Sequence, residues 1–444
     1  MSKPTLVFQA PVATRSGYGD HARDLLQSLY KLDKFDIKVL STRWGQTPMD
    51  ALNYDNQFHK WILDNMIGKI EEKPDVYMQV TVPNEFQPLG YYNVGITAAI
   101  ETTACAMNWI EGCNRMDLII TPSEHARLSL VGTVYNETDR NTNQVIRQIK
   151  IEKPVEVLFE GFDERDFGTE TVAHISQLDA IKEDFAFLFV GHWLRGDLGE
   201  DRKNVGMMIK TFAMAFKNEK VKPALVLKTS SAGFSILDRE TTIRKIKDVL
   251  GNDYGKVNVY LLHGDLTASE MNGLYEHRKV KAMLNFTKGE GFGRPLLEFS
   301  LTGKPVIVSN WSGHLDFLKQ GAVLLDGELK PVHESAADQF LLKESQWFNV
   351  NISKALIAIK DVYKNYDKYK TASFQLGKQN KQNFGLEKMT KLLDVILNQY
   401  GIYSKTQPKF QQLQLPKLKM LNKYCKIIIQ YIVNLLMIKK SYLV

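Results

Sequence analysis

Two consecutive series of short apolar runs, each followed by a helix-like stretch, constrain the fold of this chain more than any other feature. The first series is TLVFQA (5–10), FDIKVLS (35–41), DVYMQVTV (75–82), VGITAAI (94–100) and DLIITPS (117–123). Strands that alternate with helices pair in parallel and need cover on both faces, so this half predicts an α/β domain. PVEVLFEGFD (154–163) reads as its last strand before a crossover. The second series opens at FAFLFVGHW (185–193) and continues through ALVLKT (224–229), VNVYLLHG (257–264), KAMLNF (281–286), PVIVS (305–309) and AVLLD (322–326). Two Rossmann-like sheets in one chain leave a cleft between them, and ligands of such sheets bind beyond the carboxyl ends of the strands. The 444-residue length fits two or three domains. The expected division is 1–165, 166–380, a crossover helix within 381–404 and a separate tail, 405–444.

Chemistry concentrates in NFTKGEGFGRPLLE (285–298), where Glu290 and Glu298 flank a glycine-rich turn. VKAMLNF before it reads as a buried strand, and Pro295 stands where a first helical turn tolerates proline. A strand, a glycine turn and a helix start converge unpaired N–H groups and the positive end of a helix dipole, which suits an anion. Gly291 and Gly293 carry no Cβ to obstruct a phosphate. Glu298, about one turn inside the helix, is positioned to accept both hydroxyls of a ribose. Glu290, on the loop, faces whatever is attached beyond the phosphates.

This stretch resembles the E-x7-E signature of retaining glycosyltransferases of the family 4 type, which have the two-Rossmann GT-B fold. GKPVIVSNWSGHLDFL (303–318) follows at once and resembles the next strand and loop of that family. The resemblance implies that Glu298 binds the donor ribose and Glu290 contacts the transferred sugar. The turn Gly291, Phe292, Gly293, Arg294, Pro295 and Leu296 would hold the diphosphate. It also implies retention of configuration through a front-face reaction, in which the leaving phosphate helps deprotonate the incoming hydroxyl. Arg202 and Lys203, before a helix in GHWLRGDLGEDRKNVGMMIKTF (191–212), resemble the family's basic phosphate contacts, with Lys228 at the next strand end as a further candidate. Positive charge there stabilises a departing nucleotide. His263, at the strand end LLHG, stands where the family recognises the base, although a histidine at a strand end also has a plain structural reading. In TRSGYGDHARDLL (14–26), Gly19 is the better candidate of two glycines for approach to the donor phosphate, with Arg15 and Tyr18 as candidates to touch the acceptor. Glu101 is either a structural carboxylate or a catalytic one balancing charge at the anomeric carbon. It departs from the family's usual His or Asp. Glu160 likewise stands where the family's interdomain linker usually carries Asn. Ser123, in TPSEHA, reads chiefly as a helix N-cap.

No D-x-D pair lies in a candidate catalytic loop, and no His/Asp/Glu cluster has ligand spacing, so no metal and no cofactor beyond the nucleotide-sugar co-substrate is expected. The function this predicts is transfer of a hexose from a nucleotide diphosphate sugar to a glycan or lipid-linked hydroxyl acceptor. A nucleotide-sugar epimerase of the same fold, or a non-catalytic sugar-nucleotide or glycan-binding component of a membrane-associated complex, stands as the alternative.

Composition decides two further points. The net charge of +7 suggests nucleic acid, yet eight of the 57 basic residues lie from Lys405 onward, where there is no Asp or Glu. The preceding 404 residues carry 49 basic and 50 acidic side chains, so the body is neutral and nucleic acid is disfavoured. Cys105, Cys113 and Cys425 match no zinc spacing, and the start has no secretory apolar segment. A reducing, cytoplasmic setting is expected. Within 417–438, lysines and amides recur at helical spacing opposite Leu421, Ile428 and Ile432, over an apolar stretch too short for the about 20 residues that span a bilayer. This reads either as a peripheral anchor on an anionic membrane surface or as a helix docked on protein.

Overall fold

The computed structural model describes residues 2–139, 141–167, 172–231 and 233–403. The tail and its expected amphipathic helix at 417–438 lie outside the described residues.

The first domain is built on β1 (Thr5–Ala10), α1 (Gly17–Leu32), β2 (Asp36–Ser41), α2 (Gln57–Asp64), β3 (Val76–Val80) and β4 (Tyr92–Ile96). It continues with α3 (Met107–Asn114), β5 (Leu118–Thr121), α4 (Glu124–Val131), an antiparallel hairpin of β6 (Tyr135–Thr138) and β7 (Val145–Ile149), and β8 (Val155–Val157). The sheet runs β2-β1-β3-β4-β5-β8, parallel throughout.

The second domain repeats the plan with β9 (Ala186–Val190), α5 (Val205–Phe216), β10 (Ala224–Lys228), α6 (Ile236–Leu250), β11 (Asn258–Leu262) and α7 (Ala268–Glu276). There follow β12 (Val280–Asn285), α8 (Arg294–Ser300), β13 (Val306–Ser309), α9 (Leu315–Leu318) and β14 (Val323–Leu325), in sheet order β11-β10-β9-β12-β13-β14. β9 (AFLFV) is buried at every position, as a central strand covered by helices on both faces must be.

An antiparallel arm of β15 (Gly327–Pro331) and β16 (Gln346–Val350) leaves this domain before α10 (Ile352–Lys364), α11 (Tyr366–Asn383) and α12 (Leu386–Gln399). Its strands and tip lean on the first domain. Thr103 N–H donates to the Gln346 carbonyl and Gln346 N–H to Thr103 Oγ1, both at 2.9 Å.

The last helix crosses back. Leu386, Met389, Leu393, Ile396 and Leu397 of α12 join Leu25, Leu26 and Leu29 of α1 in one core, and Thr390 Oγ1 bonds Ser28 Oγ at 2.9 Å. Each such side chain contributes about 1.5–3 kcal/mol when buried, so α12 belongs energetically to the first domain. Among the described residues, no helix is long and apolar enough to cross a membrane.

Candidate functional site

Both sheets turn the carboxyl ends of their strands towards the cleft, and loops from those ends meet there. Glu290 follows β12, Arg202 and Lys203 lie between β9 and α5, and Glu101 follows β4. These four form one charge cluster, with Glu290 and Lys203 buried and Arg202 and Glu101 half-buried. Lys203 Nζ donates to Glu290 Oε1. Arg202 Nη1 lies 3.1 Å from Glu101 Oε1 and 3.5 Å from Glu290 Oε2, and it donates to the Gly289 carbonyl at 3.1 Å. Burial alone would raise the pKa of Glu290, but Lys203 and Arg202 outweigh it and hold the carboxyl at about 2. It is therefore an anion under ordinary conditions. Two cations and two carboxylates balance, so the cluster is neutral without a ligand.

The backbone around Glu290 is fixed by its neighbours. Its N–H donates to Ser312 Oγ at 2.9 Å and its carbonyl accepts from Gly313 N–H at 3.0 Å. Ser312 holds a φ of +89°, a conformation that costs a non-glycine residue about 1–3 kcal/mol. His314 donates from Nε2 to the Ser309 carbonyl at 2.8 Å and burial lowers its pKa, so a neutral ring braces this loop.

Gly293 caps α8 at φ +97°, a region that favours glycine. Gly291 is constrained by proximity instead: a Cβ there would lie 2.6 Å from the Ala98 carbonyl of the first domain. Ser123 Oγ, besides capping α4 by accepting from Ala126 N–H, donates to the Gly291 carbonyl at 2.5 Å. Glu124 N–H donates to Asp316 at 2.9 Å. The two domains thus touch across the turn. Among the described residues, the N–H groups of Gly291, Phe292 and Gly293 meet no protein acceptor and remain open for an anion.

Glu298, inside α8, sits in a second group. Oε1 accepts from Arg294 Nε at 3.0 Å and Oε2 from the Tyr275 hydroxyl at 3.2 Å. Burial raises its pKa to about 7 against the pull of Arg294. Arg294 also bonds Asp24 of α1 across the cleft. Its charge is therefore spent on two carboxylates and does not stand open beside the turn. Glu298, Pro295 and Arg294 line a cavity of about 700 Å³ between the domains, which reaches Asp265 and Leu266 after β11 and Gly17 and Asp20 on α1. Arg15 spans its mouth, bonding Asp50 at 2.8 Å and Asp265 at 2.9 Å.

Several expected residues take other places. Phe292 and Leu296 are 2% and 1% exposed and belong to the second domain's core, so only their backbone can meet a donor. A Cβ on Gly19 would lie 2.3 Å from the Thr14 carbonyl, which makes that glycine a packing requirement of the loop. His263 is paired through Nε2 with Asp238 at 2.7 Å, and Lys228 Nζ donates to the Gly264 carbonyl at 2.6 Å. Neither bonds any member of the Glu290 cluster. Tyr18 points its hydroxyl inward, accepting from Ala98 N–H at 3.0 Å.

Sequence reasoning missed Asp24, and saw Glu160 only as a departure. Glu160 is 8% exposed and burial raises its pKa to about 8, against Arg294. Asp24 is raised to about 6 by burial, with Arg294 opposing. Asp20, Asp24 and Gln27 form a polar line at helical spacing on α1, a signal that such residues face a site and not the core. Among the described residues, no group of three or more His, Cys, Asp or Glu is arranged to hold a metal.

No protein-family model matches this chain, and no curated protein matches it in sequence. Solved structures do match. Anabaena HepE, in complex with UDP and glucose, superposes with a TM-score of 0.56 at 12% identity, over 89% of this chain and 100% of that one. A glycosyltransferase from Rickettsia africae gives 0.57 at 12% identity, over 90% and 99%. Sucrose-phosphate synthase from Thermosynechococcus elongatus gives 0.56 at 13%, over 90% and 100%. At these identities the likeness concerns fold: this chain has the GT-B architecture of glycosyltransferases.

Proposed function

We propose that this protein is a retaining, metal-independent hexosyltransferase of the family 4 type, moving a hexose from a nucleoside diphosphate sugar to a hydroxyl acceptor. One observation carries the reading: Arg202 and Lys203 from one loop close on Glu290 from another, beside open backbone N–H groups, while Glu298 lines the adjoining cavity. The cavity suits the nucleoside, with the Glu298 carboxylate accepting the ribose diol. Arg202 and Lys203 then exchange part of their pairing with Glu290 for the diphosphate. They stabilise the charge that grows on it as the bond to the anomeric carbon breaks. Glu290, released from full neutralisation and ionised, faces the transferred sugar. The acceptor oxygen bonds the anomeric carbon, the phosphate oxygen leaves with the bonding pair, and the acceptor's proton passes to the departing phosphate. Attack and departure on the same face preserve configuration. The structural relative from Anabaena was solved with UDP-glucose, which makes that donor the first to try.

The test is incubation of the full chain with UDP-, GDP- and ADP-hexoses, following nucleotide release and, by NMR, the anomeric form of the product. Release that disappears in Glu290→Gln and in Glu298→Ala is expected. Isomerised donor without release would favour an epimerase, and donor binding without turnover across acceptors would favour a binding component.

A further inference from the structure

A second, smaller cavity of about 210 Å³ lies where the arm tip meets the first domain. Three segments build it. The loop after β4 and helix α3 contribute Glu101 and Trp109, the β9–α5 loop contributes Arg202, and the arm contributes Phe340 and Leu341. The rings of Trp109 and Phe340 stand 5.8 Å apart at 40° and make one wall apolar. Glu101 and Arg202, 3.1 Å apart, offer an acceptor and a forked donor on another. The arm is pinned in place by Arg195, whose Nη2 bonds the Ala336 and Ala337 carbonyls at 3.0 and 2.8 Å and Asp338 at 2.8 Å.

We propose that this chamber is the acceptor subsite and takes one pyranose ring of a saccharide acceptor. Aromatic faces cover the C–H face of a sugar while a carboxylate and a guanidinium bond its hydroxyls. The volume matches one pyranose ring, and the Glu101–Arg202 pair suits hydroxyls where a lipid chain would leave both unsatisfied. Arg202 ties the chamber to the donor side, since the nitrogen that meets Glu101 is also 3.5 Å from Glu290. The larger cavity with Glu298 is separate and serves the nucleoside. The assignment rests on the transferase reading above, and it selects saccharide over lipid as the acceptor group recognised.

The experiment uses the full chain with UDP-glucose and GDP-mannose as donors and the methyl glycosides of glucose, mannose and galactose as soluble probes. At least one glycoside should accelerate nucleotide release saturably. Leu194 of the β9–α5 loop also lines the chamber. Phe340→Ala, and Leu194→Trp to fill the chamber should the first variant fold poorly, should raise the KM for that glycoside about tenfold or more. The donor KM and the slow release to water should stay unchanged. Saturation-transfer NMR with the same glycosides reads the chamber even without turnover, and its signal should vanish in Leu194→Trp. Absence of glycoside binding to the parent, an unchanged glycoside KM in both variants, or a raised donor KM instead would each overturn the assignment. Failure of the transferase reading looks different: no donor releases nucleotide, whatever glycoside is present.

Discussion

Single carboxylates in this cleft differ in ionisation because their partners differ. Glu290 meets two cations and is held at about 2, although burial works the other way. Glu298 is raised to about 7 by burial, with one shared guanidinium opposing. Neutralising Glu290 without changing its shape leaves Lys203 uncompensated, leaves Arg202 with Glu101 alone, and removes the anion beside the sugar. Glu290→Gln should therefore lower turnover by about 10²-fold or more with an unchanged circular dichroism spectrum. Glu298 predicts a pH effect. A carboxylate must be ionised to accept both ribose hydroxyls, so affinity for an intact UDP- or GDP-sugar should rise with pH through about 7. Calorimetry at several pH values checks this, and Glu298→Gln should bind weakly and without that slope. A parent protein with flat affinity across the window would separate Glu298 from the diol. At this scale a local pattern in the sequence marked Glu290, Glu298, Arg202 and Lys203, and the structure sets them along one cleft; their roles belong to the proposal above. It was silent where a role depends on distant partners. Nothing near Asp24 in the sequence announces Arg294, 270 positions away.

Among the elements, parallel strands with buried faces were legible because both faces demand apolar residues. The two hairpins were not. β7 is exposed at nearly every position and β15 at all five, so neither offers the alternation that marks a half-buried strand. The arm's value lies in Phe340 and Leu341 at its tip, which sequence alone gives no reason to place beside Trp109. The glycine turn belongs to this scale too. Its Gly291 was expected to admit a phosphate, and the structure adds that it admits the other domain. A methyl 2.6 Å from the Ala98 carbonyl cannot be accommodated without moving one loop. Gly291→Ala should hold the cleft open, abolish most activity and leave each sheet folded. Small-angle scattering would register a larger radius of gyration than for the parent.

Across the whole molecule, buried acids make stability depend on pH in two directions. Glu160, Glu298 and Asp24 have pKa values raised to about 8, 7 and 6 from ordinary values of 4.5, 4.5 and 3.8. At these acids the folded chain keeps protons that the unfolded chain releases, so their contribution falls as pH climbs from about 4 to 8, while His21 and His125, lowered by burial to about 3 and 4, act the other way below 6.5. Glu290 is opposite. Its contribution is complete above 4.5 and is lost as pH falls towards about 2. Between pH 7 and pH 8, above the range in which the buried histidines protonate even in the unfolded chain, the melting temperature should decline, and Glu160→Gln should flatten that decline. A melting temperature that climbs over this interval would contradict the retained proton on Glu160.

The return of α12 to the first domain carries a temporal consequence. A ribosome emits the first domain's strands long before residues 386–397, which complete its apolar interior. Nascent chains ordinarily fold their amino-terminal domains first, but here that unit stays unsealed until the whole second domain has also been made. A chain stopped after Asn383 should aggregate or recruit chaperones during translation, and a separately supplied 384–403 peptide should restore part of its solubility.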